Sequence, residues 1–378
     1  MGTALKRIDK ELDRRLMAAS LRLGRRNLGR TWPNPAVGAL IVRMESGRPV
    51  VVGRGWTAEG GRPHAEVVAL AEAGEAARGA TVYVSLEPCA HVGRTPPCAD
   101  ALVAAGVGRV VYAIGDPDPR VNGAGHAKME AAGIAVTSGV LAEEAARAHA
   151  GHISRITRGR PHVILKLAVS ADGMIGRREG ERMMITGKPA LEVVQTIRAE
   201  CDAVAVGIGT VFVDNPRLTV RLPGLSGRSP ARIVFDATAR LPLDSHLVAS
   251  AREVPVLAVV GPEAPEERRD ALADAGVRIV AVGSGSGGVD IAAALQVLGG
   301  EGYTRVLVEG GAEIASSLVS NDLVDEVVLF RASVVVGADG VRALGGLALS
   351  AIERSPRFRQ IDAAIVGDDT MRRYERAA

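Results

Sequence analysis

His64-Ala65-Glu66, followed by Pro88-Cys89 and later by Cys98, is a set of residue types able to activate water. One imidazole and two thiolates suit a tetrahedral zinc ion, and three protein ligands leave its fourth position open to water. A structural zinc site takes four ligands, so three point to catalysis. Glu66, two residues beyond the histidine, is placed to take the proton of that water and pass it to a leaving amine. This chemistry is hydrolytic removal of an amino group from a nitrogen heterocycle. His91 lies between the cysteines and is a competing imidazole; its loop position favours solvent exposure or a substrate contact over ligation.

The elements that must hold these groups follow from periodicity and turn chemistry. His64 and Glu66 fall in the first turn of a helix expected over 64–77, started by Pro63. Cys89 lies just past a strand expected over 81–86. Cys98 opens a helix over 98–105, where the partial positive charge of a helix start favours a thiolate. Further strands are expected at 38–42, 50–56, 109–114 and 134–138, separated by helices. That alternation predicts an α/β domain with a mainly parallel sheet over 1–150. Residues 151–161, GHISRITRGRP, are polar, basic and punctuated by Gly and Pro, and are expected as a linker. A second α/β pattern fills 162–378, and the GSGSGG run within 282–289 is expected as a surface loop.

Bulk properties narrow the class. A chain of 378 residues exceeds the usual single core, in keeping with two domains. The net charge of +3 is small, the basic residues are scattered, and only 3% of the residues are aromatic, which disfavours a nucleic-acid reader. No apolar run reaches membrane-spanning length, and the first fifteen residues carry charges of both signs in place of a signal peptide's apolar stretch. Three cysteines, two of them assigned to the metal, form a reduced inventory and imply the cytoplasm. A homo-oligomer is compatible with all of this.

The order H-x-E, then P-C, then C is that of zinc deaminases, although eight residues separate the cysteines here in place of two. The run Pro88-Cys89-Ala-His-Val-Gly93-Arg-Thr95-Pro96-Pro97-Cys98 closely resembles the deaminase of riboflavin biosynthesis. Pro33-Asn34-Pro35-Ala-Val37-Gly38 and Asp116-Pro-Asp-Pro119-Arg-Val121-Asn-Gly123-Ala-Gly125 match that family too. The resemblance implies a cytidine-deaminase-like fold in which His64, Cys89 and Cys98 bind zinc and Glu66 is the proton donor. It also implies that Asn34 holds the pyrimidine, a role open to a carboxamide that both donates and accepts. The loop from Asp116 to Gly125 would line a phosphoribosyl arm; an ordinary turn accounts for the same residues.

The second half is less explicit by itself. Gly207-Ile-Gly209-Thr210 and Glu309-Gly310-Gly311 each follow a strand, and neither is the dinucleotide fingerprint. The half resembles the reductase domain fused behind this deaminase, whose fold is similar to dihydrofolate reductase. The matching stretches are Lys166-Leu-Ala168-Val-Ser170-Ala-Asp172-Gly173, Ile185-Thr186-Gly187, Arg198-Ala-Glu, Val206 to Arg221, and Val308-Glu309-Gly-Gly311. This resemblance implies NADPH at Ala168, Met184, Thr210, Asp214 and Gly311, with substrate at Arg182, Arg198, Leu218, Arg221 and Glu309. Arg198 and Arg221 suit a sugar phosphate, since guanidinium forks match phosphate oxygens, and each is equally an ordinary surface arginine. Arg182, Met184 and Asn215 depart from the family's usual Ser, Trp and Asp. The implied activity is deamination of a diaminopyrimidinone phosphoribosylamine, then NADPH-dependent reduction of its ribosyl group to ribityl. The competing reading is a nucleoside or nucleic-acid deaminase with a non-catalytic ligand-binding second domain.

Overall fold

Ser46 and Gly47 both take positive φ, 49° and 78°, and so turn the chain between β1 (Gly38–Glu45) and β2 (Arg48–Trp56). Two left-handed residues match the twist of a two-residue hairpin. The computed structural model describes residues 10–178, 183–285 and 288–377. The chain divides into two units, Met1–Arg158 and Gly159–Ala378.

The first unit runs α1 (Lys10–Arg25), β1, β2, α2 (Ala65–Ala73), β3 (Thr81–Val84), α3 (Cys98–Ala104), β4 (Arg109–Tyr112), α4 (Ala124–Ala131), β5 (Ala135–Ser138), α5 (Ala142–Ala148) and α6 (Ala150–Arg158). Its sheet has the order β2-β1-β3-β4-β5. Only β3, β4 and β5 are parallel; β1 is antiparallel to both β2 and β3. The expected mainly parallel sheet is corrected by the hairpin, because two residues cannot make the crossover that parallel neighbours need. One face buries Ala65, Ala69, Leu102 and Met129 against Ile41, Val82 and Val110, and the other buries Met17 against Leu40, Tyr83 and Val111.

Two glycines on β2 decide where α2 sits. A Cβ on Gly55 would lie 2.0 Å from the Ala65 carbonyl oxygen and 2.7 Å from the Ala69 nitrogen; one on Gly53 would lie 2.3 Å from the Ala69 carbonyl oxygen. The helix therefore rests directly on strand backbone, and a side chain there would lift its first turn. Gly55→Ala is expected to cost about 2–3 kcal/mol, as overfilled sites do. It should also lower the zinc bound per chain. Urea unfolding followed by tryptophan fluorescence, with metal analysis, checks both; an unchanged midpoint would contradict the close approach.

Residues 151–158, expected within a linker, belong instead to α6, which buries Gly151, His152 and Ser154. The polar composition misleads because one of the inward residues, His152, has a carboxylate partner, described below.

The second unit runs β6 (His162–Val169), β7 (Met174–Arg177), α7 (Lys188–Ala199), β8 (Ala203–Gly207), α8 (Ile208–Asp214), β9 (Ala231–Phe235), α9 (His246–Ala249), β10 (Val256–Val260), α10 (Glu266–Asp274) and β11 (Arg278–Ala281). It continues through β12 (Ser284–Gly285), β13 (Gly288–Val289), α11 (Ile291–Gly300), β14 (Arg305–Glu309), α12 (Ala312–Ser320), β15 (Glu326–Arg331), β16 (Gly340–Arg342), α13 (Ser350–Glu353), β17 (Phe358–Val366) and β18 (Asp369–Arg376). The main sheet has the order β11-β10-β9-β8-β14-β6-β15-β18-β17. Strands β8 (AVAVG) and β10 (VLAVV) are buried throughout, as parallel strands covered on both faces must be.

Beyond the sequence expectations, β17 and β18 form an antiparallel hairpin that joins the sheet along β15. Most of β17 is exposed, so it carries little apolar signal. The glycine run was expected as a loop; its ends pair as β12 and β13. Because β14 inserts between β8 and β6, the strand order reverses at β14, and ligands of open α/β sheets sit at such points, beyond the carboxyl ends of the strands.

Candidate metal centre and the switch point of the second sheet

Three chain segments converge in the first unit. His64 is the N-cap residue of α2, with extended φ and ψ of −71° and 159°. Cys98 is the first residue of α3, and Cys89 follows the end of β3. The Cys98 amide donates to the Cys89 sulfur at 3.2 Å, and the Ala99 amide donates to the Cys89 carbonyl at 3.1 Å. His64 Nδ1 lies 3.3 Å from the Cys98 sulfur and 3.7 Å from the Cys89 sulfur. All three donor atoms fall within 4.8 Å of one another. Zinc bonds of ordinary length at tetrahedral angles require donor separations of about 3.6–3.8 Å, so the set fits that ion. His91 is outside this group of three.

Glu66 is buried in the first turn of α2, 4% exposed. Burial, then the nearby Cys89 thiolate, pushes its carboxyl up to about 7. A carboxyl near neutrality both accepts and returns a proton readily. Hydrogen bonding from Cys98 holds Cys89 low, at about 4, while the same contact and burial push Cys98 up.

Asn34 sits opposite the segment leading into α2. Its Nδ2 donates to the Gly61 carbonyl at 2.9 Å, and Thr31 Oγ1 donates to the Asn34 carbonyl at 3.0 Å. Part of the donor capacity expected for a ring edge is therefore spent on the protein. The loop after β4 also has defined contacts. His152 Nε2 donates to Asp116 Oδ1 at 2.9 Å, and Arg120 forks onto Asp118. That fork, with burial opposing it, holds Asp118 down at about 2.

In the second unit, Lys166 and Glu309 are register partners on β6 and β14, at the reversal of strand order. Arg198 grips Glu309 through Nε on Oε1 and through Nη2 on Oε2, the latter at 2.7 Å, while its Nη1 donates to the Thr219 carbonyl at 3.1 Å. Burial raises the cost of charging Glu309, yet the Arg198 charge and hydrogen bonds hold its carboxyl below the usual range. Burial lowers the Lys166 ammonium, with Glu309, Arg198 and Asp214 as its charged neighbours. The arginine expected as a free phosphate fork is thus engaged by a carboxylate. Arg221 remains exposed on the adjoining segment, where its backbone amide donates to Gln195 Oε1 at 2.5 Å.

Lys166 did not emerge as a site residue from the sequence, although a single lysine within the apolar strand HVILKLAV was a signal. Leu218 has a positive φ of 54° and is buried in the core. Asp214 ends α8, Thr210 Oγ1 lies beside Gly310 and Gly311, and Gly311 is the N-cap of α12 with φ of 83°. Ala168 lies near the end of β6, and Met184 is 53% exposed. Arg182 lies outside the described residues. Asn215, expected as a lost charge near the cofactor, accepts the amide of His246, the first residue of α9, at 2.9 Å.

Comparisons agree with this division. A family model described as the cytidine and deoxycytidylate deaminase zinc-binding region matches residues 10–114, and one described as the RibD C-terminal domain matches 161–372. The riboflavin biosynthesis protein RibD of Aquifex aeolicus (strain VF5) is 36% identical over 367 residues, covering 97% of this chain and 99% of that protein. That of Escherichia coli (strain K12) is 37% identical over 370 residues, 94% and 97% of the two. The solved structure of Acinetobacter baumannii RibD superimposes with a TM-score of 0.85 at 35% identity, covering 98% of this chain and 100% of that one. A Thermotoga maritima structure described as a diaminohydroxyphosphoribosylaminopyrimidine deaminase and 5-amino-6-(5-phosphoribosylamino)uracil reductase gives 0.83 at 30% identity, covering 97% and 99%. Among the described residues, no helix is long and apolar enough to cross a membrane.

Proposed function

The chain belongs to the RibD family of riboflavin biosynthesis proteins, and we propose on that footing a role for each residue of its two sites. It is a zinc-dependent deaminase joined to an NADPH-dependent reductase, acting on a small pyrimidine carrying a phosphoribosylamino group.

In the first unit His64, Cys89 and Cys98 hold the zinc. The ion, when bound, would supply a water molecule acidic enough to react at neutral pH. Glu66 takes the water proton and delivers it to the departing amino nitrogen, so that the ring C–N bond breaks, a ring carbonyl forms and ammonia leaves. Asn34 orients the pyrimidine with its remaining amide capacity, and residues 116–125 line the phosphoribosyl arm. The observation that carries this reading is three ligand atoms within 4.8 Å, with a buried carboxyl two residues beyond the histidine.

In the second unit Ala168, Met184, Thr210, Asp214 and Gly311 lie along the cofactor, which supplies the hydride. Arg198 keeps Glu309 charged and aimed at the ribosyl group, Arg221 grips the phosphate, and Arg182 and the Leu218 backbone complete the substrate side. The three cysteines are unpaired, in keeping with a cytoplasmic enzyme. The scarcity of aromatic and clustered basic residues disfavours a nucleic-acid substrate, and self-association is compatible with the fold.

A coupled assay tests the whole reading. The diaminopyrimidine phosphoribosyl substrate should lose ammonia without NADPH, and NADPH absorbance should fall only after that step. Turnover of cytidine or single-stranded DNA, with none of the pyrimidine phosphate, would refute it. Deamination without NADPH oxidation would leave the second unit a binding module.

A further inference from the structure

Glu87 lies two residues before Cys89, and its buried side chain belongs neither to the metal group nor to an ion pair described for this unit. Its backbone amide donates to the Ile114 carbonyl at 2.9 Å. The carboxylate reaches out of its own segment. Oε2 accepts the Gly123 amide at 3.1 Å and Oε1 accepts the His126 amide at 3.2 Å. These amides belong to the N-cap and first turn of α4, where helical partners are lacking. Gly125 presses on the same segment, since a Cβ there would lie 2.1 Å from the Pro88 carbonyl oxygen. The far end of the 115–126 loop is therefore fastened beside a metal ligand.

The near end is fastened by a different element. His152 on α6 donates to Asp116 Oδ1 at 2.9 Å, and the same oxygen accepts the Asp118 amide at 2.9 Å. Both His152 and Asp116 are buried, 7% and 8% exposed. Between the two anchors the loop is punctuated by Pro117 and Pro119, so its remaining freedom is small once both ends are held.

We propose that Glu87 and His152 are positioning residues of the deamination step, clamping the 115–126 loop at its two ends in the shape that receives substrate. The proposal rests on the deaminase reading above. Neither side chain touches the reacting atoms. Each acts by sparing the enzyme the cost of ordering the loop when substrate binds, a cost that appears in KM. It also accounts for two chemical features. Two amides pointing at one place call for the two oxygens of a carboxylate, and a carboxylate at Asp116 calls for a buried N–H donor.

The test uses the full-length, zinc-loaded protein and the diaminopyrimidine phosphoribosyl substrate. Glu87→Ala and His152→Ala should each raise the deaminase KM by roughly tenfold with kcat changed less than about threefold. Zinc per chain and NADPH oxidation on deaminated substrate should stay as in the parent. His152→Gln should restore most of the lost KM, because its amide nitrogen donates where the imidazole did. Glu87→Gln, retaining one acceptor oxygen, should fall between parent and alanine. Alanine variants with unchanged KM, or a loss of zinc that accounts for all lost activity, would overturn the clamp. An insoluble alanine variant leaves the KM of the glutamine variants to decide in the same way. Failure of the parent protein to deaminate would instead refute the reading on which the clamp rests.

Discussion

Glu66→Gln should abolish deamination, by roughly a thousandfold or more, while the protein keeps its zinc and its NADPH-dependent reduction. The substitution keeps the shape of the side chain and removes its capacity to carry a proton. Its structural cost is small for a definite reason. Burial and the Cys89 thiolate already oppose the charged form of Glu66, pushing its carboxyl up to about 7, so a neutral amide relieves that conflict. His64, Cys89 and Cys98 are unaltered, and metal analysis should find the same zinc content. Deaminase activity above a tenth of the parent's would show that another group moves the proton. Loss of reduction as well would contradict a two-site enzyme.

The second large effect is expected in the reductase unit. Arg198→Met keeps most of the side-chain volume but strands Glu309, whose carboxylate is held by both ends of the guanidinium. The two side chains are only 12% and 9% exposed. Breaking such a pair from one side costs about 3–5 kcal/mol, because an uncompensated charge stays buried. Reduction should be lost and deamination retained. Both tryptophans, Trp32 and Trp56, lie in the first unit, so fluorescence follows that unit and circular dichroism follows both. The dichroism transition should move to lower urea while the fluorescence transition stays.

The effect of pH on this variant has a fixed sign. In the parent, the Glu309 carboxyl lies below its unfolded value, so its stabilisation is present above that value and is lost as pH falls through the folded one. The difference between parent and variant should therefore be largest at neutral pH and shrink in acid. Arg198→Met combined with Glu309→Gln should recover part of the loss, since a neutral amide replaces the stranded charge. A single variant within about 1 kcal/mol of the parent would mean that the pair is not buried as described.

The residues that could be read without a structure share one property: their relations are local. His64 and Glu66 are two residues apart at the start of one helix, His64 as its extended N-cap and Glu66 in its first turn, and Pro63 and the apolar spacing announce that helix. Cys89 and Cys98 sit at junctions of strand and helix, whose periods differ enough to be read. The strands read at β8 and β10 within the second α/β pattern are short apolar runs, legible in the same way. Where local signals were weak, expectation failed. The polar 151–158 segment became a helix with a buried histidine, and the exposed β17 gave no alternation to read.

By itself, then, the order of residues singled out His64, Cys89 and Cys98 as a group able to hold a metal, the carboxyl beside them and the α/β class. Each of these depends on neighbours within a turn or a strand, or on motif residues in a set order. Only the tertiary structure decided what the long side chains do. Arg198 meets a carboxylate 111 residues away, and Glu87 fastens amides 36 and 39 residues away. Such partners depend on strand order and on which loops share an end of the sheet, and no local periodicity carries that information. A buried charge must find its counterion wherever the fold places one, so the arginine that looked free to bind phosphate proved to be holding Glu309.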